Sequence, residues 1–369
     1  MVKDSISDRD DDLSFPGKLA VITTPAAQNP GDDEFNSVKP LVAKYGKDKI
    51  MHVFWPLNHM TEKQGVRDTV VGLASDREIK ALIINQAVPG TNNALYEFKK
   101  IRKDVFIVCC NIHESPSEAA KRANLLLEID ALGLGPVMVK QAKKQGAKTF
   151  VHYSFPRHMS VLLYDNRRTL IKEACAAEGM QFVDATALDP VGEAGLEAAR
   201  QFMLDDVPKM AAKYGEDTAF FCTNCHVQAP LIKAVIKCHA IYPQPCCPSP
   251  FHGFPEALGI KTGNELLDLN YLITEASRIA AEKNMSDRLS TWPVSTPMMF
   301  TNVGAEYAIR RARGEVSGSA VNDEVLEDCI NNYINDAIGE GVEVVMTPYT
   351  ENGKTYNNFK LVLMSYLDF

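Results

Sequence analysis

Thiol and imidazole side chains are concentrated in two short segments of the chain. The first reads CTNCH at residues 222–226, and the second reads CCPSPFH at residues 246–252. Thiolates and imidazoles are the usual protein ligands of Zn²⁺, and Cys-x-x-Cys is a common half-site. The candidate metal ligands are Cys222, Cys225, Cys246 and Cys247, which His226, His239 and His252 could supplement.

Three arguments favour an interpretation without a metal, a cofactor or a catalytic residue. The CTNCH segment matches the haem-attachment pattern, but Cys222 ends an apolar run, whereas attachment needs an exposed thiol. Vicinal cysteines on an extended chain point to opposite sides, so Cys246 and Cys247 are not expected to converge. Cys225 would lie near a helix N-terminus, which lowers a thiol pKa, yet local spacing supplies no acid–base partner. We therefore expect a non-enzymatic protein, and a Cys/His metal-binding protein or thiol enzyme remains the alternative.

The cysteine turn is predicted to connect a strand to a helix. Residues 218–223 form a short apolar run typical of a buried strand, and Asn224 is a good helix cap. Apolar residues then recur at helical spacing as far as Cys238, with Pro230 in the first turn, where its missing N–H costs little. The turn would thus lie at the carboxyl end of a parallel strand, where ligands bind in open α/β sheets.

The rest of the chain repeats this alternation of strands and helices. Strands are predicted at residues 19–24, 50–55, 81–87, 105–111, 149–155, 180–184, 218–223 and 342–347, with a final apolar run at 360–367. A long, mainly helical portion is expected after Asn111 and ends at Gly146, and Asn352-Gly353 predicts a hairpin turn. Such alternation implies parallel sheets covered by helices on both faces, hence an α/β fold with two doubly wound lobes.

The domain boundaries are expected where the rhythm breaks. We predict a disordered leader at residues 1–16 and a first lobe of residues 17–113 plus about 298–338. The second lobe would hold residues 114–297 and the C-terminal 339–369. The chain would cross between the lobes near 112–116 and 291–297.

Composition limits the choice of partners and compartment. The chain has 369 residues, a net charge of -8, 46% hydrophobic and 23% charged residues, and no Lys/Arg cluster, so direct nucleic-acid binding is not expected. The acidic start is unlike a signal peptide, and an odd number of cysteines with two vicinal pairs suits a reducing compartment. As written, the protein is expected to be cytoplasmic; the alternative is an exported lipoprotein whose signal was removed.

Four segments resemble parts of the type I periplasmic-binding-protein fold, which sugar-binding proteins share with LacI-type repressors. They are ALGLGPVMVKQAKKQGAKTFVHYSF, NRRTLIKEACAAEGMQFVDA, FFCTNCHVQAPLIKAV and STPMMFTNVGAEYAIRRARGEV. The third resembles that family's strand-Thr-Asn-Asp turn, with Cys225 in place of the Asp. More narrowly, the whole chain resembles the bacterial DUF3798 family, and CCPSPFHGFPEALG is the most particular match.

This resemblance implies a ligand cleft between two lobes that close by a hinge motion over a polar metabolite. Its ligand-binding residues would be those that follow the strands: Thr24, Gln28, Asn29, Trp55, Asn58, Gln86, Asn111, His113, Ser154, Arg157, His158, Asn224, Cys225, His226, Ser249 and His252. These side chains suit a neutral or mildly anionic molecule, and Arg157 could pair a carboxylate at two points. The Cys at position 225 removes a usual acceptor for sugar hydroxyls, which argues against a plain pentose or hexose.

Two further expectations concern residues beside this set. Trp55 could stack on a ligand or pack in the core, and the Arg167-Arg168 pair is expected on a solvated helix face outside the site. The implied function is that of a sensor or a solute receptor, which would have a membrane transporter as its partner if exported. A direct repressor is not expected, because only about sixteen residues of this sequence precede the first strand, too few for a helix-turn-helix module. A transcriptional regulator lacking its own DNA-binding module remains an alternative.

Overall fold

The computed structural model describes residues 13–25, 33–261 and 268–369. Its strands are β1 (Lys18–Thr23), β2 (Ile50–Phe54), β3 (Ile79–Ala87), β4 (Phe106–Ile112), β5 (Leu125–Ile129), β6 (Thr149–Ser154), β7 (Gln181–Thr186), β8 (Thr218–Cys222), β9 (Ser290–Thr291), β10 (Val344–Glu351), β11 (Lys354–Met364) and β12 (Leu367–Asp368). The helices are α1 (Asp33–Asn36), α2 (Val38–Tyr45), α3 (Lys63–Gly72), α4 (Thr91–Ile101), α5 (Pro116–Arg122), α6 (Leu134–Lys144), α7 (Pro156–Met159), α8 (Leu162–Ala177), α9 (Gly195–Tyr214), α10 (Gln228–Lys237), α11 (Phe254–Leu258), α12 (Leu269–Glu282), α13 (Thr296–Ala312) and α14 (Asp323–Ile338). No helix among these is both long and apolar enough to span a membrane.

The chain divides into two compact units. Unit 1 comprises the residues up to Ile129 together with Thr296–Asp336 and Val345–Val362. Unit 2 comprises Asp130–Ser295, Ala337–Val344 and Leu363–Phe369.

Unit 1 is built on a seven-stranded sheet with the order β10-β11-β5-β4-β3-β1-β2. From β11 to β2 neighbouring strands run parallel, for example with Leu19 opposite Ile50 and Ala81 opposite Phe106. The inner strands are buried almost throughout, because helices cover both faces of a parallel sheet. The long α13 is buried nearly all round and packs against β3, β4 and β5.

Unit 2 contains the three-stranded parallel sheet β7-β6-β8, which isolated bridges extend through Ile241 and Leu289. Alternate residues of its strands pack into two different cores, because successive side chains of a strand point to opposite faces of the sheet. Val151 and Phe220 belong to a core with residues of α9, α10 and α12. Phe150 and Phe221 belong to a second core with residues of α6 and α8. The expected α/β class with doubly wound parallel sheets is therefore confirmed.

The local predictions for two segments are also confirmed. The cysteine segment forms β8, a 3-10 turn at Cys225–Val227 and α10. The Asn352-Gly353 turn joins the neighbouring strands β10 and β11, and both residues have the positive φ that such a tight hairpin turn needs.

The structure differs from the sequence expectation on either side of β5. The apolar run LLLEI forms β5 and pairs with β4 and β11, whereas the sequence predicted it as part of a long helical portion. The prediction was wrong because periodicity cannot distinguish a strand from a helix in such a short buried run. This pairing keeps residues 114–129 in unit 1, so the chain passes to unit 2 after Ile129 rather than near 112–116.

The C-terminal residues also depart from the expected boundary. Residues 339–369 were expected in the second lobe, yet Val345–Val362 lies in unit 1 because β11 pairs with β5.

Candidate functional site

In unit 1, polar side chains gather at the carboxyl edge of the parallel sheet. Thr24 follows β1, and Gln86 and Asn111 lie near the ends of β3 and β4. Thr24 is buried, and its hydroxyl has no hydrogen-bond partner among the described residues. Gln28 and Asn29, which complete the predicted set after β1, lie outside the described residues.

Gln86 and Asn111 share an uncommon backbone conformation. Their φ angles are 60° and 49°, in the left-handed region that side chains rarely adopt. The Asn111 amide donates to Oδ1 of Asn85 at 2.8 Å, and the buried Asn85 amide donates to the carbonyl of Pro297 at 3.0 Å and to Thr301 Oγ1. The two strand ends are therefore held in a strained geometry by a defined polar network.

Trp55 has a packing role. Its side chain is 2% exposed and lies within the unit 1 core, and its indole N–H donates to the backbone carbonyl of Gln86 at 3.1 Å. This contact holds the Gln86 backbone and leaves little of the indole surface for stacking. The other two predicted residues of this edge, Asn58 and His113, are exposed.

Glu128 at the end of β5 was missed by the sequence prediction. Its carboxylate oxygens accept hydrogen bonds from the backbone N–H groups of Ile112, at 2.7 Å, and Ile129, at 3.1 Å. Burial raises the pKa of this carboxyl to about 7, because desolvation outweighs the two hydrogen bonds. A carboxyl at this sheet edge can therefore take up or release a proton near neutral pH.

In unit 2 the equivalent edge carries a buried network centred on Thr223. The Thr223 hydroxyl lies 2.9 Å from the hydroxyl of Ser154 and 2.9 Å from Nδ1 of His158. Burial and the nearby charge of Arg157 lower the pKa of His158, so its imidazole is neutral at pH 7. The structure thus brings together the predicted residues Ser154 and His158 through a third residue that was not in the predicted set.

The guanidinium of Arg157 is already paired within the chain. Its Nε and one terminal nitrogen donate to the two oxygens of Asp189 at 2.7 and 2.8 Å. This pair holds the pKa of Asp189 down to about 2. The two-point geometry expected for a ligand carboxylate is therefore used by a side chain of the protein itself.

The turn after β8 is fixed by amide side chains. The Asn224 side chain accepts the backbone N–H of His226 at 2.9 Å. The buried Gln228 amide donates to the carbonyls of Cys222, at 3.0 Å, and Asn224, at 2.7 Å. Cys225 and His226 are exposed on this turn, whereas Cys222 is fully buried in the core. Cys222 is therefore not positioned as a metal ligand or for haem attachment.

The second cysteine segment folds back onto this turn. Cys225 and Cys247 form a disulfide, and the sulfur of Cys246 lies 3.1 Å from that of Cys225 and 3.6 Å from that of Cys247. The expectation that Cys246 and Cys247 point to opposite sides is wrong, because the chain bends at 246–248 instead of being extended. Farther along the same segment, Ser249 is buried and His252 is half-buried.

Arg167 contradicts the expectation of a solvated helix face. Its side chain is 5% exposed, stacks on the rings of Tyr164 and Phe221, and has no hydrogen-bond partner for Nε among the described residues. Arg168 is partly exposed and pairs with Asp165 and Asp184. The sequence could have predicted the burial of Arg167, because Arg167 lies four residues before the apolar Ile171 and therefore on the same helix face.

Comparison with solved structures identifies the fold as type I periplasmic-binding-protein-like. A crystal structure from Clostridium difficile 630, named as a candidate transcriptional regulator, has a TM-score of 0.84 and 22% identity, covering 96% of this chain and 100% of that chain. A periplasmic ribose ABC transporter from Conexibacter woesei DSM 14684 has a TM-score of 0.52 and 12% identity, with coverages of 89% and 99%. A sugar ABC transporter from Actinomyces odontolyticus ATCC 17982 has a TM-score of 0.52 and 10% identity, with coverages of 81% and 84%.

Within this fold the chain belongs to the family described as "Protein of unknown function (DUF3798)", whose pattern matches residues 18–290. A Treponema pallidum (strain Nichols) protein named only as uncharacterized is 36% identical over 168 residues, which are 46% of this chain and 78% of the relative. The resemblance drawn from the sequence is thereby confirmed.

Proposed function

We propose that this DUF3798 protein is a non-enzymatic binding protein for a small polar molecule, acting as a sensor or a solute receptor. The observation that carries the proposal is the left-handed backbone at Gln86 and Asn111, on adjacent strand ends of one sheet edge. Each such residue costs roughly 1–3 kcal/mol, and strain of this kind clusters at ligand-binding positions. Here both strained residues, Gln86 and Asn111, have polar side chains that can hydrogen-bond to a ligand.

The polar groups of unit 2 support the same proposal. Ser154, His158 and Thr223 form a buried network at the carboxyl ends of β6 and β8, the position at which open α/β sheets bind ligands. Such a network has donors and acceptors held in place by packing, which reduces the entropy lost on binding.

The chemistry of these groups favours a neutral ligand with several hydrogen-bonding edges. Gln86 and Asn111 supply amides, which donate to Glu34 at 3.2 Å and to Asn85 at 2.8 Å but have a second N–H and an acceptor oxygen each. Ser154 supplies a hydroxyl, and His158 a neutral imidazole. Because Arg157 is paired with Asp189, we propose a neutral molecule in preference to a carboxylate or phosphate. Two structural neighbours are named for sugar or ribose transport, so sugars belong in the test even though Cys225 stands where the fold usually has an Asp.

The names of the neighbours suggest two roles for one binding activity. Those named as ABC transporter proteins support a solute receptor with a membrane transporter as its partner. The one named as a candidate transcriptional regulator supports a sensor. Both roles require the same first event, the binding of a small molecule.

Thermal unfolding in the presence of a metabolite panel tests the binding proposal. The panel should contain pentoses, hexoses, polyols, nucleosides, amides and carboxylates, and a hit should be confirmed by calorimetry. A ligand at a hundred times its Kd stabilises the folded protein by about 2.7 kcal/mol, which a shift in Tm readily shows. A broad panel without a stabilising compound would remove the main support for the proposal.

Substitution by glycine separates binding from stability. Gln86→Gly and Asn111→Gly remove the amide side chain but also relieve the left-handed strain, so we expect stability within about 1 kcal/mol of wild type. Each change should raise the Kd of the confirmed ligand roughly tenfold or more, since one lost hydrogen bond is worth about 1.4 kcal/mol. The matched control is Asn284→Gly, which relieves a φ of 56° elsewhere and should leave the Kd unchanged.

A further inference from the structure

Three sulfur atoms from two separate segments of unit 2 converge on one point. The sulfurs of Cys225, Cys246 and Cys247 all lie within 4.8 Å of one another, and we call these residues the thiol triad. Cys225 comes from the turn after β8, which Asn224 and Gln228 hold in place, whereas the vicinal pair comes from a bend 21 and 22 residues later. Such convergence of three cysteines needs a chemical reason beyond packing, because the triad lies at the surface of the unit 2 core rather than within it.

The chemistry of the triad suits a soft metal ion. Thiolates select Cu(I), Zn²⁺ and iron–sulfur clusters over hard cations. Structural Zn²⁺ is almost always four-coordinate, and the cluster found among the described residues supplies three ligand atoms. Three thiolates match the low coordination number of Cu(I) better than the tetrahedral preference of Zn²⁺.

The surroundings of the triad leave it accessible and place one positive charge in interaction with it. Cys225 is exposed, and Cys246 and Cys247 are half-buried, so an ion can enter from the Cys225 side. The guanidinium of Arg167, which is 5% exposed, interacts electrostatically with Cys246. Three thiolates around Cu(I) carry two negative charges, and a buried guanidinium offsets part of that charge.

We propose that the reduced thiol triad is a binding site for Cu(I), with Cys225, Cys246 and Cys247 as its three ligands. The disulfide between Cys225 and Cys247 is the form that excludes the ion. An external dithiol reduces this disulfide by transferring two electrons and two protons, and is itself oxidised to a disulfide. Cu(I) then replaces the protons of the three thiols, which pass to solvent.

Chelator competition under anaerobic conditions tests the proposal. The full chain is reduced with dithiothreitol, desalted, and titrated with Cu(I) in the presence of bicinchoninate. We expect one Cu(I) per chain, with three sulfur neighbours by X-ray absorption. Cys225→Ser and Cys246→Ser should each lower the affinity for Cu(I) by roughly 10- to 100-fold or more. That range is the usual effect of removing a residue that hydrogen-bonds to a metal ligand, and loss of a ligand itself should cost at least as much. The oxidised chain should take up no ion at the same chelator concentration.

The control variant is Cys238→Ser, which removes a partly buried cysteine outside the triad and should bind Cu(I) like wild type. Far-UV circular dichroism and Tm of each variant show whether it is folded. The proposal is overturned if reduced wild type takes up no Cu(I), if Cys246→Ser keeps three sulfur neighbours, or if Zn²⁺ binds in preference. It is independent of the small-molecule proposal, because the metal titration is done without any metabolite and reports only on the thiols.

Discussion

At the scale of single residues, Glu128 is the group whose behaviour the structure determines most clearly. It lies at the end of β5, half-buried, and accepts two backbone N–H groups, yet burial raises its pKa from 4.5 to about 7. The folded protein therefore holds a proton on this carboxyl at pH values where the unfolded chain has released it. By linkage, the free energy of unfolding falls as pH rises from about 4.5 to about 7, and does not change further above that range through this group.

Glu128→Gln should remove this pH dependence. One pKa unit corresponds to about 1.4 kcal/mol. As pH rises from 4.5 to 8, the wild type should therefore lose on the order of 3 kcal/mol through this group, and the variant should not. Urea unfolding at several pH values measures the difference. The amide can accept only one of the two N–H groups, which adds a constant loss that pH does not change.

The control for Glu128 is the partly exposed Glu118, whose pKa is lowered by its hydrogen bond with Lys121. Glu118→Gln should show no comparable gain across the same pH range, because exposed ion pairs contribute little. Equal pH profiles for wild type and Glu128→Gln would show that Glu128 does not titrate near neutrality.

At the scale of elements, α13 packs unusually close to the unit 1 sheet at Gly304. A Cβ added there would lie 2.8 Å from Cγ1 of Val108 in β4, closer than real contacts allow. Val108 is fully buried and cannot move away without disturbing the sheet. Glycine at this position therefore sets the distance between helix and sheet.

Gly304→Ala should destabilise the protein by about 1–2 kcal/mol, because overpacking costs about 1–3 kcal/mol and exceeds the gain in helix propensity. Chemical denaturation measures the loss. Combining it with Val108→Ala should cost less than the sum of the two single changes, by about 1 kcal/mol or more, since the second change makes room for the first. Gly72→Ala in α3 meets no atom within 4 Å and should be neutral or stabilising. Simple additivity in the double variant would contradict the proposed contact.

At the scale of the whole molecule, neither unit is one continuous stretch of chain. Unit 2 takes its last part from Leu363–Phe369, far along the sequence from the residues it joins. Phe369 is 6% exposed, its ring lies 4.8 Å from that of Phe254, and its N–H donates to the carbonyl of Leu289 at 3.0 Å. The core of unit 2 is therefore completed only when this segment has been added.

Phe369→Ala should lower the free energy of unfolding by about 3 kcal/mol, because it leaves a cavity in a buried cluster. Hydrogen exchange should show the greatest loss of protection in unit 2, near Tyr242 and Leu289, which form an isolated β-bridge. Val345→Ala, at a side chain that is 55% exposed, is the matched truncation and should change stability by less than about 0.5 kcal/mol. Similar effects for both variants would mean that Phe369 does not complete this core.

Local sequence patterns were sufficient to predict much of the fold. The alternation of buried strands with amphipathic helices, the Asn352-Gly353 turn and the cap at Asn224 all depend on neighbours a few residues away, and each was predictable. The strand ends that carry Gln86 and Asn111 followed from the same patterns. Their left-handed backbone did not, because Gln seldom adopts it and an Asn that is not followed by Gly gives only a weak signal for it.

The sequence by itself determined most of the strands apart from β5, the parallel α/β class and the kinship with the DUF3798 family, because these depend on periodicity and local motifs. Only the tertiary structure decided which distant groups meet: Cys225 with Cys246 and Cys247, Arg157 with Asp189, and β11 with β5. Such meetings depend on how buried faces pack across many residues of sequence separation, which local spacing does not encode. The thiol triad and the pairing of Arg157 are consequently the features that most changed the expected chemistry of the site.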